Sequence, residues 1–293
     1  MNDYVSKIQK TASTLFDISG HSDVLYSKEI AGLMVKKLGI QWPPISAENF
    51  GAFPVSRFHT TQGFLDFMCE KFGSKLQIIE LGAGFTPHYL NLKSDVLKYI
   101  EVDHDANSSL KKDILSEIKP DASNLVFIGG DVLEASTWTK IQENIDTNNP
   151  VIIFSEGVVA QYFSKEQKQQ LTDFMKDLLL VEGSAFVIDD TLRNHPELQS
   201  NPIIVDGMKW IVQKSGSKVY NAEFQTFEQE VQRWQELLPS KQIITIDYVK
   251  SKPEMDFAID NFKLIINLQN EREDVKLGLL ELSKQNKAKR VWK

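Results

Sequence analysis

The chain has 293 residues, enough to bury a sizeable core as one α/β enzyme domain with extra segments. Its 33 Lys and Arg against 40 Asp and Glu leave a net charge of −7, which opposes nucleic acid or an anionic membrane as a main partner. Cys69 is the single cysteine, which excludes an internal disulfide and a multi-cysteine metal site and fits a reducing cytoplasm.

The start, Met1-Asn2-Asp3-Tyr4-Val5-Ser6-Lys7, has no basic stretch leading into an apolar run, and no apolar segment approaches the ~20 residues of a membrane span. A soluble, unprocessed, cytoplasmic chain is expected. Residues 1–75 read as an N-terminal helical segment packing on the core. Ile30, Leu33, Met34, Lys37 and Leu38 fall at helical spacing, Trp42-Pro43-Pro44 forms a break, and a second helix is predicted over 60–72. Apolar runs then follow at 76–81, 96–102, 125–128, 151–154 and 185–188, separated by stretches with helical patterning. One of these, 165–180, carries Leu171, Phe174, Met175 and Leu178 on one face. The alternation predicts a doubly wound α/β domain over 76–293 with a mostly parallel sheet, whose strands are uniformly apolar because helices cover both faces.

The regularity fails over 191–240, where Trp210, Phe224, Phe227 and Trp234 occur among polar turns. This segment follows Asp189-Asp190, the end of the fifth strand, and is expected to be a cap on that edge, with Trp210 lining an acceptor pocket. The other role open to its aromatics is to dock the segment onto the sheet. Runs at 242–249 and 257–268 are joined by a link too short for a helical crossover and should pair antiparallel. The charged tail from 270 reads as a solvated helix.

The most informative segment is Ile78-Ile79-Glu80-Leu81-Gly82-Ala83-Gly84-Phe85-Thr86-Pro87, an apolar strand running into a glycine turn. Ligands in open α/β sheets bind at such strand ends. Gly82 and Gly84 let the backbone bend sharply and approach a nucleoside, although two glycines in an ordinary turn would look the same. The next strand ends at Asp103, roughly 20 residues beyond Gly82, where a carboxylate can accept hydrogen bonds from both ribose hydroxyls. Capping the helix that follows is the alternative role for Asp103. This pair suits a nicotinamide dinucleotide as well as adenosylmethionine. The third glycine of a dinucleotide fingerprint packs beside the pyrophosphate, and here that position is Pro87, which favours adenosylmethionine. At two later strand ends, Asp131 with the backbone amide of Val132 could meet an adenine edge, and Glu156 could meet a methionine ammonium. Acids at sheet edges also serve as helix caps or solvated ends.

In order along the chain, the landmarks are Arg57 ahead of Gly63-Phe64-Leu65-Asp66-Phe67, Glu80-Leu81-Gly82-Ala83-Gly84-Phe85, and Tyr99-Ile100-Glu101-Val102-Asp103. Asp131-Val132-Leu133 upstream of Trp138, Ser155-Glu156-Gly157-Val158 with Tyr162-Phe163, and Asp189-Asp190 complete the set. Over 57–190 the sequence resembles the leucine carboxyl methyltransferase and polyketide O-methyltransferase superfamily of class I methyltransferases. The resemblance implies a seven-stranded, Rossmann-like sheet and S-adenosyl-L-methionine as cofactor. It also implies that Arg57 pairs with the methionine carboxylate and that Glu80, Gly82 and Gly84 flank the methionine end. Asp103 would hold the ribose, Asp131 would lie by the adenine, and Glu156 would hold the amino group. One departure is Thr86-Pro87-His88, where His88 stands in place of the usual arginine.

The expected activity is O-methylation of a carboxylate or hydroxyl on a small molecule, with protein carboxyl methylation or cofactor binding without catalysis as alternatives. A carboxylate acceptor is already nucleophilic and needs no base. For a hydroxyl, the candidate bases are His59, Glu156, Asp190 and His195, and Tyr162 could orient the acceptor.

Overall fold

The computed structural model describes residues 15, 19, 24–39, 52–159, 163–190, 227–238, 242–247, 262–267 and 273–288. Helices α1 (Ser27–Leu38) and α2 (Ala52–Phe72) precede the sheet. Strand β1 (Gln77–Leu81) leads through the glycine turn to β2 (Lys98–Asp103), α3 (Asp105–Ile118) and β3 (Leu125–Gly129). Then come α4 (Ala135–Gln142), β4 (Val151–Ser155), α5 (Lys165–Met175) and β5 (Ala185–Asp190). The last described elements are α6 (Phe227–Leu237), β6 (Gln242–Asp247), β7 (Phe262–Asn267) and α7 (Glu273–Ala288).

The strands form one sheet in the order β3-β2-β1-β4-β5-β7-β6. Strands β1 to β5 run parallel, whereas β7 is antiparallel to both of its neighbours. Adjacent residues of a strand point to opposite faces, and both faces are covered, which is why the runs show no polar alternation. On one face Ile79, Ile100, Ile153 and Phe186 pack with Trp138 of α4, Leu171 of α5 and Trp234 of α6. On the other, Ile78, Tyr99, Ile152 and Val187 pack with Phe64 and Met68 of α2 and Val275 and Leu279 of α7. Ile30 and Met34 of α1 close over Ile114 of α3 and Phe85.

Three elements differ from expectation. Helix α2 begins well before residue 60, so Arg57 lies inside it. Its Pro54 falls in the first turn, where the missing N–H has no helical partner to lose. Within the segment read as a cap, residues 227–238 hold an amphipathic helix whose Trp234 is fully buried, its ring 5.5 Å from that of Phe186. Trp234 therefore docks this part onto the sheet. The tail helix α7 is solvated on one side only, because Val275 and Leu279, one turn apart, bury against the sheet. It lies close enough to α2 that a Cβ added at Gly278 would stand 2.5 Å from two ring carbons of Phe67. Among the described residues no helix is long and apolar enough to cross a membrane.

Candidate functional site

Strand order reverses between β1 and β4, and the loops after these two strands meet there. Gly82 and Gly84 turn with φ of 68° and 48°, in the left-handed region that side chains with a Cβ avoid. A Cβ at Gly82 would lie 2.5 Å from Val158 Cγ2, so the loop after β4 occupies the space a side chain would need. The Gly82 amide still donates to the Val102 carbonyl at 2.8 Å, continuing the β1–β2 ladder into the turn. The Gly84 amide donates to Asp103 Oδ2 at 2.7 Å, while Asp103 Oδ1 accepts from the His104 amide and from Asn107 Nδ2, both at 2.7 Å. His104, not Asp103, is the N-cap of α3. The Asp103 carboxylate is thus held at the sheet edge by the glycine turn and the start of α3.

Glu80 is turned beneath this turn and is buried. Its Oε2 accepts from the Tyr99 hydroxyl at 2.7 Å, and its Oε1 accepts from Thr86 Oγ1 at 3.1 Å. On the neighbouring strand, buried Glu101 pairs with Lys111 of α3 at 2.7 Å, and Lys111 Nζ also donates to the Ala83 carbonyl at 3.3 Å. One buried cation faces two buried carboxylates. Burial pushes the Glu80 carboxyl up to about 8, against the lowering pull of Lys111, with Glu101 adding to the rise. Glu101 is raised by burial as well. With Glu80 protonated, the cluster is close to neutral.

Facing the glycine turn from the β4 side, Glu156 has three polar neighbours. Arg57 Nε of α2 stands 3.7 Å from its Oε2, His88 Nε2 lies 3.2 Å from the same oxygen, and the Thr61 hydroxyl donates to Oε1. The His88 ring stacks on Phe58 with centroids 4.3 Å apart and an interplanar angle of 12°, and it meets Phe154 edge-on. Arg57 and Thr61, four residues apart, share one helix face, so α2 brings both to the loop after β4.

Asp131 Oδ1 accepts from the Leu133 amide at 2.9 Å in the loop after β3. The Val132 side chain is buried in the core, and its carbonyl accepts from Trp138 Nε1 at 2.8 Å. His59 is half-buried on α2 beside Phe58. Asp190 is the last residue of β5, with its backbone paired to Phe262, and its side chain lies outside the described residues. Tyr162, His195 and Trp210 also lie outside them. Arg57 and Glu156 are brought together, as are Gly84 and Asp103. Sequence reasoning assigned no role to His88, Thr61 or Lys111. Only His88 left a trace, as the departure from the usual arginine after the glycine turn.

The groups at this edge that could hold a nucleoside bearing an amino-acid head group are the Asp103 carboxylate at the end of β2 and the Arg57 cation and Glu156 anion by the loop after β4, while the space a Cβ of Gly82 would need is taken by Val158. A model of the leucine carboxyl methyltransferase family matches residues 27–176, just over half of the chain. No curated protein matches it. Among solved structures, a Thermobifida fusca YX protein assigned as a methyltransferase is 11% identical, with a TM-score of 0.57 over 90% of this chain and 94% of its own. The small RNA methyltransferase HEN1 is 13% identical, with a TM-score of 0.50 over 78% of this chain and 27% of its own. A SAM-dependent methyltransferase from Anabaena variabilis is 12% identical, with a TM-score of 0.46 over 73% of this chain and 95% of its own. At such identities the likeness concerns the fold.

Proposed function

The chain belongs to the leucine carboxyl methyltransferase family and is a methyltransferase, and from that premise we propose that it binds S-adenosyl-L-methionine over the β1–β4 crevice and methylates a carboxylate or hydroxyl oxygen of a small molecule. The observation that carries this reading is the convergence, at one sheet edge, of the Gly82 turn, Asp103 and the Arg57–Glu156 pair. Bound there, the cofactor supplies an electrophilic methyl carbon on a sulfonium. Asp103 accepts the ribose hydroxyls, as its spacing from the glycine turn suits. Arg57 offers a guanidinium to the amino-acid carboxylate and Glu156 a carboxylate to the ammonium, so a zwitterion meets the complement of its own charges. Asp131 and Val132 border the adenine.

Beyond binding, the protein's work is alignment and exclusion of water, since a displacement at carbon needs the acceptor lone pair in line with the methyl. A carboxylate acceptor needs no base. For a hydroxyl, His59 is the candidate base among the described side chains, with Asp190 and His195 to be weighed beside it. Tyr162 would orient the acceptor, and the part of 191–240 around Trp210 would cover it. Calorimetric titration with S-adenosyl-L-methionine and with its demethylated product tests the reading. Both should bind and NADH should not, and a response to NADH alone would overturn it. On the acceptor side, Trp210→Ala should impair turnover of an identified acceptor much more than cofactor binding.

A further inference from the structure

Thr86 is buried beside the glycine turn, and its Oγ1 stands 3.1 Å from Glu80 Oε1 and 3.1 Å from the Ala83 carbonyl oxygen. A hydroxyl has a single hydrogen to give. With Glu80 ionised both neighbours are acceptors, and one of the two contacts is left without a hydrogen. With a proton on Glu80 Oε1 the first contact runs the other way, the acid donating to Thr86 Oγ1 and the Thr86 hydrogen going to Ala83. That proton belongs on Oε1, because Oε2 accepts from Tyr99, whose buried hydroxyl has no other acceptor among the described residues.

The charges around Glu80 agree with this count. Tyr99 and Glu101 of β2, Lys111 of α3 and Glu156 after β4 act on it, and Glu156 has Arg57 and His88 at its Oε2. Burial, the largest effect, opposes ionisation together with the two other carboxylates, against Lys111 and the Tyr99 hydrogen bond. Lys111 is already paired with Glu101 at 2.7 Å, so an ionised Glu80 would leave a net negative charge buried. The Ala83 carbonyl, for its part, shares a peptide plane with the Gly84 amide, and in a planar trans peptide the two point in opposite directions. The carbonyl accepts from Thr86 and, at 3.3 Å, from Lys111 Nζ, while the amide donates to Asp103 Oδ2 at 2.7 Å. Asp103 Oδ1 is held by the start of α3, so Oδ2 is the oxygen whose place this peptide sets. A chain of hydrogen bonds then runs from the buried acid to the carboxylate at the sheet edge.

Resting on the proposed reading of the cofactor site, we infer that Thr86 is a positioning residue for ribose recognition. It takes a hydrogen from neutral Glu80, gives its own to the Ala83 carbonyl, and so holds the peptide whose amide fixes the Asp103 carboxylate for the ribose hydroxyls. Glu80 serves the cofactor from beneath the turn, without touching it.

The test compares, by calorimetry, the demethylated product S-adenosyl-L-homocysteine with its 2′,3′-dideoxy analogue. The ratio of the two affinities isolates what the ribose hydroxyls contribute, and the head group common to both cancels from it. In Thr86→Val the ratio should fall roughly two- to tenfold, the contribution of one neutral hydrogen bond, and Thr86→Ser should restore it. A purely structural role would weaken both ligands alike and leave the ratio unchanged. In the wild type the ratio should hold below about pH 7 and decline as Glu80 ionises at about 8, because the ionised acid claims the Thr86 hydrogen. Glu80→Gln, whose amide can donate to Thr86 and accept from Tyr99, should give a ratio that does not change with pH. If Thr86→Val does not fold, the pH series decides. An unchanged ratio in folded Thr86→Val, equal wild-type affinity for the two compounds, or a wild-type ratio that stays flat or rises with pH overturns the inference and leaves the cofactor reading intact. Absence of product binding by the folded wild type overturns both.

Discussion

Glu80 and Glu101 stand in register on adjacent parallel strands, and Lys111 reaches the second of them from α3. A carboxyl held at about 8 in the folded chain and near its ordinary 4.5 in the unfolded one binds its proton more tightly when folded. Its contribution to stability is complete below about 4.5 and is lost as pH rises towards about 8. Glu101, raised in the same direction, adds to this slope. Denaturant unfolding at a series of pH values should show wild-type stability declining across that window and a flatter profile in Glu80→Gln. Identical profiles would mean that Glu80 is ionised in the folded chain throughout.

Arg57→Ala removes the guanidinium proposed to meet the cofactor carboxylate. A hydrogen bond to a charged group contributes about 1.5–3 kcal/mol, so affinity should fall roughly ten- to 150-fold. Calorimetry on a variant with wild-type circular dichroism measures it. An unchanged dissociation constant would leave Arg57 as a partner of Glu156 alone.

Gly82→Ala should destabilise the fold by about 1–2 kcal/mol from its left-handed backbone alone, with a further loss from crowding against Val158. Adding Val158→Ala should return part of the second loss and none of the first. Denaturant unfolding of the two variants and the wild type separates these contributions. Full recovery in the double variant would mean that contact, and not backbone conformation, requires glycine.

The Cys69 thiol is buried on α2, and burial pushes it up to about 12, with Asp66 adding to the rise. A disulfide reagent such as Ellman's should leave the native protein unmodified at pH 8 and titrate one thiol per chain after unfolding. Prompt reaction of the folded protein would contradict this burial.

The parallel strands were legible because each is an unbroken apolar run bounded by polar or glycine positions, the pattern forced by helices on both faces. The meeting of the glycine turn with Asp103 was legible for a local reason, since a turn and the carboxylate of the next strand lie at a fixed spacing in this architecture. The place of His88 was not, because the contacts of its ring nitrogens with Gln62 and Glu156 span 26 and 68 residues and exist only once α2 lies over the ends of β1 and β4. Helix α6 was missed for another reason. Val231, Trp234 and Leu238 fall at helical spacing, but the Glu and Gln around them dilute the signal.

Phe67 and Arg57 ride on the same helix, ten positions or about 15 Å apart, and the ring of Phe67 rests where Gly278 of α7 has no side chain. A single methyl at 278 would force the Phe67 ring to shift or the two helices to part. The C-terminal helix, remote in sequence, packs directly on the helix that carries Arg57 and Thr61.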